Sequence, residues 1–158
     1  MTEKVELRAL GLGKVNKNKL INFFNMKRTE FVMILSEKDD QNQRFQILVK
    51  EAQAESIAYI IQRDKTPNQL ITQELFKSVL DQLDCKLESV FINKMDDKKI
   101  LQCVLTFLHG QKAMEFNASV ADSIALSLLY KCKIFVDKEI FDKCKYVPKI
   151  QPQFKITE

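Results

Sequence analysis

Hydrophobic and polar positions change period several times along the chain, and each change marks an element. VELRAL (5–10) alternates, FVMIL (31–35) is a short apolar run, and FQILVK (45–50) puts Phe45, Ile47 and Val49 on one face; all three read as strands. The polar stretch DDQNQ (39–43) supplies a hairpin connection between the last two. AQAESIAYIIQ (52–62) then shifts to helical spacing, with Ala54, Ile57, Ile60 and Ile61 sharing a face. RDKTPNQ (63–69) reads as a linker, since Pro67 cannot sit inside a helix. TQELFKSVLDQL (72–83) returns to helical spacing. Thr72 suits its N-cap, Glu74 its first turn, and Leu75, Val79 and Leu83 form a stripe beside Phe76 and Leu80. SVFIN (89–93), ILQCVLTFL (100–108) and AMEFN (113–117) follow as strands. In the middle one, Leu101, Cys103, Leu105 and Phe107 alternate against Gln102 and Thr106, so one face is buried. NASVADSIALSLLYK (117–131) is an almost wholly apolar helix, KIFV (133–136) a strand, and KEIFDKC (138–144) a short helix capped by Asp137.

Two of the helical segments echo each other. AESIAYII (54–61) and ADSIALSL (121–128) share alanine, an acid, serine, isoleucine and alanine in the same order, and each follows three strand-like segments. The pattern predicts a single α+β domain over residues 1–145, built from a duplicated β-β-β-α(-β) unit. Its sheet would be mainly antiparallel with helices packed on it. The two-proline segment 146–158 reads as an extended or disordered tail.

Composition narrows the picture modestly. The 158 residues are 46% hydrophobic and 29% charged, which suits one soluble domain with a substantial core. Four cysteines without Cys-x-x-Cys spacing and a single histidine, His109, argue against structural zinc. MTEKVELRALGLGK (1–14) has two acids among its first six residues and reads as carrying no apolar signal core, and no stretch approaches the roughly 18 apolar residues of a membrane span. The expectation is a cytoplasmic protein, off the membrane, with free thiols packed as small hydrophobes. Three glycines leave little material for a phosphate-cradling loop, and Asn16 stands where the third glycine of a dinucleotide motif would be. His109, beside Gly110, reads as a turn residue rather than a base.

The net charge of +4 is compatible with a polyanionic partner. Arg8, Lys14, Lys17, Lys19, Lys27 and Arg28 fall in a tract with no acid between Glu6 and Glu30, and Phe23 and Phe24 lie within it. Cations track phosphates and exposed aromatics stack on bases, so this tract is a candidate DNA or RNA surface. Its alternative is a short amphipathic helix with solvated lysines. Asp122 likewise has two readings. It stands three residues after Ser119, the spacing of a capping box. It could instead join Glu51, Glu55 and Glu74 at helix N-termini, where clustered carboxylates would act as ligands or bases around Mg²⁺ or Mn²⁺. Spacing alone identifies no metal ligand set.

Three segments carry a resemblance to the bifunctional nuclease domain family, bacterial and plant proteins described as acting on DNA and RNA. NASVADSIALSLLYKCKIFVDKEIF (117–141) resembles the family's Arg-Pro-Ser-Asp-Ala-Ile-Ala-Leu-Ala pattern followed by a short strand and a capped helix. KEAQAESIAYII (50–61) is similar to its Gly-x-x-Glu-Ala-x-Ala-Ile-Ala, and LITQELF (70–76) to its Arg-Pro-Leu-Thr-His-Asp-Leu. The resemblance spans roughly residues 4–144 and implies a duplicated β3-α-β fold and nuclease activity. Asp122 keeps the family's acid. Ser119 replaces its arginine, Val120 its proline, Leu129 often a second arginine, Gln73 its histidine and Glu74 its aspartate. The leading expectation is a nuclease-family protein that acts on or binds DNA or RNA and, if active, hydrolyses phosphodiesters with metal assistance, with Asp122, Glu51, Glu55 and Glu74 as candidate catalytic residues. The replaced arginines and histidine give the alternatives: a catalytically degenerate nucleic-acid-binding regulator, or a scaffold that forms homo-oligomers through its sheet edges.

Overall fold

A computed structural model describes residues 2–14, 31–63, 70–146 and 152–156. The elements run β1 (Lys4–Lys14), β2 (Phe31–Glu37), β3 (Arg44–Val49), α1 (Glu51–Ile61), α2 (Thr72–Gln82), β4 (Cys85–Met95), β5 (Leu101–His109), β6 (Lys112–Ser119), α3 (Val120–Tyr130), β7 (Lys133–Asp137), α4 (Lys138–Cys144) and β8 (Phe154–Lys155). The fold is α+β, as the periodicity predicts, with all eight strands in one sheet ordered β3-β2-β1-β7-β4-β5-β6 and β8 laid beside β1. Every pairing is antiparallel except that of β4 with β7. Three strands precede α1, and three precede α3.

Strand alternation decides which side chains meet the helices. Cys103, Leu105 and Phe107 of β5 and Phe45, Ile47 and Val49 of β3 point into one main core with Ile57 and Ile124 of the helices. Ile57 and Ile124 are wholly buried, and each adds about 1.5–3 kcal/mol by leaving water. On β2, Met33 and Leu35 join that core, while Val32 and Ile34 project to the opposite face and meet Leu10. β4 is longer than its apolar alternation suggests. Its register shifts between Leu87 and Ser89 and again between Ile92 and Lys94, so bulges break the period of two within a continuous strand.

β7 lies at the centre, its residues Val136 and Ile134 paired with Val5 and Leu7 on one side and with Ile92 and Val90 on the other. It runs directly into α4, where Asp137 Oδ1 accepts from the amides of Glu139 at 2.9 Å and Ile140 at 3.3 Å. The expected cap of α2 is corrected. Ile71, not Thr72, holds the extended cap conformation, and the Glu74 carboxylate reaches back to accept its N–H at 3.5 Å. Within the segment expected to be a tail, β8 hydrogen-bonds along the C-terminal half of β1, with Gln153 N donating to Leu12 O at 2.9 Å and Ile156 N to Leu10 O at 3.1 Å. Gly11 faces it at φ 147°, and a Cβ there would lie 2.0 Å from the Phe154 carbonyl oxygen. Only glycine admits that approach. Among the described residues no helix is long and apolar enough to cross a membrane.

Candidate functional site

Two helix N-termini meet where α1 and α3 pack against one another. α1 starts after Lys50, whose backbone N–H donates to Gln53 Oε1 at 3.2 Å. The other end of the same amide crosses to the second helix, where Gln53 Nε2 donates to both carboxylate oxygens of Asp122 at 3.4 Å. One glutamine thus satisfies the start of α1 and holds the acid of α3.

Ser119 is the N-cap of α3, and its Oγ accepts from the Asp122 N–H at 3.3 Å. The same hydroxyl donates to Asp122 Oδ2. The capping-box spacing is therefore used in a modified form, with the serine hydroxyl rather than the serine backbone as donor to the carboxylate. Asp122 is exposed to solvent. Its charge offsets the positive end of the α3 dipole, and neutral donors from two elements fix its orientation.

Behind it lies a buried polar string. Ser123 Oγ donates to the Ser119 carbonyl at 2.7 Å and lies 2.9 Å from Cys103 Sγ. Ser56 makes the corresponding bond in α1, to the Ala52 carbonyl at 3.2 Å. Burial pushes the Cys103 thiol up, against a lowering by its hydrogen bond with Ser123, and the Asp122 charge adds to the rise. Cys103 stays a protonated thiol packed in the core, which makes it support for the α3 terminus rather than a nucleophile. All four cysteines are free.

The other candidate acids occupy separate places. Glu51 opens α1 and Glu55 lies one turn on, both exposed. Glu74 is buried, its Oε1 2.7 Å from Arg63 Nη1, so it is engaged with that guanidinium and with its own helix start. Among the described residues, no group of three or more His, Cys, Asp or Glu side chains is placed to hold a metal ion. Of the basic tract, Arg8 is half-buried on β1 and Lys14 is exposed at its end. Lys17, Lys19, Lys27 and Arg28, with Phe23 and Phe24, lie outside the described residues.

A cleft of about 510 Å³ opens nearby, lined by Asn93, Lys94, Gln102, Asp137 and Lys143 among others. Gln102 is the cross-strand partner of Ser119, so the cleft borders the cap of α3. Its two lysines are cations that the sequence pattern did not single out, since neither lies in a basic run. Gln53 was equally hidden, because its partner is 69 residues away.

Comparison with known proteins comes down on the same region. A family model described as the bifunctional nuclease domain matches residues 33–149, a span that contains α1 and α3. No curated protein matches the chain.

Proposed function

The chain belongs to the bifunctional nuclease domain family, and from that footing we propose that it binds DNA or RNA at the α1–α3 junction and hydrolyses phosphodiester bonds there. The observation that carries the proposal is Asp122: a solvent-exposed carboxylate inside the family span, gripped by Ser119 of its own helix start and by Gln53 of another helix. Among the described residues no cation forms an ion pair with this acid, so the contacts that position it leave its charge in place.

A hard divalent cation fits this acid. Mg²⁺ commonly takes one or two protein carboxylates and fills its remaining positions with water and substrate phosphate, so no protein cage of three acids is needed. Asp122 would hold the ion, with water and substrate phosphate filling its remaining positions. The cation would supply polarisation of the phosphoryl oxygen and a more acidic water. The rest falls to the chain's own groups. Gln53 and Ser119 keep the carboxylate oriented, and Asp122 can accept a proton from an attacking water. Lys94 and Lys143 of the adjoining cleft, with Lys14 on β1, offer phosphate contacts.

The second reading is binding without cleavage. It is favoured by the same contacts, since a carboxylate occupied by Ser119 and Gln53 also works as a purely structural cap. Purified protein and Asp122→Asn, incubated with single- and double-stranded DNA and RNA in Mg²⁺, Mn²⁺ or EDTA, separate the two. Hydrolysis predicts metal-dependent cleavage that drops by about 100-fold or more in the variant. Intact but retarded nucleic acid, weakening steeply with salt, selects the binding module. Absence of binding at low salt sinks both.

A further inference from the structure

β4 and β7 are parallel neighbours, and both run out at the cleft: Met95 and Asp137, their last residues, lie in its wall. The crevice beyond the carboxyl ends of parallel strands is a common place for a ligand in open sheets. The second bulge of β4 shapes this one. The register shift between Ile92 and Lys94 makes Asn93 the extra residue, and a bulge re-aims the side chains around it. Asn93 and Lys94 both line the cleft. Gln102 pairs with Lys94 on one side and with Ser119 on the other, so the three stand in one row across the sheet. Two strand spacings put Lys94 about 10 Å from that cap residue of α3.

The acid of this wall is the unusual member. Asp137 is only 8% exposed, yet its carboxylate enters no ion pair among the described residues. Its Oδ1 accepts the Glu139 and Ile140 amides, and neither amide bonds to Oδ2. A carboxylate oxygen left over in a nearly buried position is matched by an N–H or O–H donor. Asn93 and Gln102 each add an acceptor and two donors, and Ile140 supplies an apolar surface. Asp96, Asp137 and Glu139 outnumber Lys94 and Lys143 in the lining. That balance suits a flat, neutral group with N–H donors better than a free phosphate. A nucleobase is such a group, and about 510 Å³ lies within the range of small-molecule sites. Cytosine, adenine and guanine carry an exocyclic amine that can donate to Oδ2. Uracil and thymine turn a carbonyl oxygen to that place, where a carboxylate repels it. A duplex keeps these edges paired, so the base comes from a single strand.

We propose that the cleft takes one unpaired base of a bound strand, and that Asp137 selects a base with an exocyclic amine. The inference deepens the nucleic-acid reading above and rests on it. Short oligo(dC) and oligo(dU) test it on the full chain, since their bases match in size and differ along the hydrogen-bonding edge. By fluorescence anisotropy at low salt, with EDTA present so that neither strand is cut, oligo(dC) should bind about 10-fold tighter or more. Asp137→Asn keeps the helix start, because asparagine caps as well as aspartate, but offers uracil a donor. The preference should then vanish or reverse, whereas a residue that only caps α4 would leave it unchanged. Should that variant fail to fold, NMR of the wild type decides: the side-chain amide signals of Asn93 and Gln102 should shift as oligo(dC) is added. Equal affinity for the two strands overturns the inference and leaves the nucleic-acid reading standing. A preference retained in Asp137→Asn does the same, as do amide signals that stay in place while oligo(dC) binds. If neither strand binds, that reading fails and the inference with it.

Discussion

Asp122 can be both a capping residue and a candidate catalytic one because Ser119 serves it in two ways, accepting its N–H and donating to its carboxylate. Removing the hydroxyl takes both away. Ser119→Ala should cost about 0.5–2 kcal/mol of stability in urea titrations, as loss of a serine N-cap does. Any cleavage should fall as well, since Gln53 alone would then orient the acid. Equal activity in the variant would mean that the serine is a cap and nothing more. At the far end of the same helix, Tyr130 is governed by burial. Burial pushes its phenol up, and the neighbouring Asp81 charge adds to the rise. The folded state therefore keeps the proton that the unfolded chain releases near pH 10. This contribution to stability is complete below about pH 10 and declines as pH rises beyond it. Lys38 and Lys138, raised by hydrogen bonds to Glu6 and Asp142, act in the same direction. Melting temperatures followed above about pH 9 should fall less steeply in Tyr130→Phe than in the wild type; parallel curves would remove Tyr130 from the alkaline limb.

Among the elements, β8 depends on one glycine. With an alanine Cβ placed 2.0 Å from the Phe154 carbonyl, Gly11→Ala cannot keep β8 on β1. Hydrogen exchange should report the loss, with the amides of Gln153 and Ile156 losing protection while β2 and β3 keep theirs. Unchanged protection at those two amides would show that the strand reseats at no cost. This contact also marks where local pattern stops being informative. Strands and helices whose faces alternate cleanly, such as β3, β5, α1 and α3, are legible because burial on one side imposes its period on the sequence. β4 is legible only between its bulges, since each extra residue reverses the face. The stripe of α2 was visible, but not its exposure, because spacing reveals an apolar face without saying what covers it. β8 and the central place of β7 come from pairings with strands far away in sequence, which no local period encodes. The site divides the same way. Ser119 and Asp122 are three residues apart and could be read together, whereas Gln53 reaches α3 only through the fold.

At the scale of the molecule, β7 determines whether the sheet is one body. The strands β3-β2-β1 and β4-β5-β6 form consecutive antiparallel sets, and among the described residues the sheet runs from one to the other through β7, residues 133–137. Val136 lies in the middle of that junction, fully buried and paired with Val5 and Ile92. The main core runs across it without interruption, from Phe45 on one side to Phe107 on the other. A set of three strands would expose half of this core if it opened alone, so the two sets should unfold together. Val136→Ala removes two methyl groups from the junction and should cost about 1–3 kcal/mol. If the sheet is one cooperative unit, hydrogen exchange should show that loss equally in the slowest amides of β2 and of β5, which lie on opposite sides of the substitution. A loss confined to β5, or to β2, would mean that the sets unfold independently and that β7 merely bridges them. The position of the candidate site makes the distinction functional. Gln53 belongs to the helix that follows the first set and Asp122 to the helix that follows the second, so their contact holds only while both sets share one sheet. Val136→Ala should therefore loosen the grip on Asp122 from within the core, in proportion to the population of opened molecules, while altering no residue of the site.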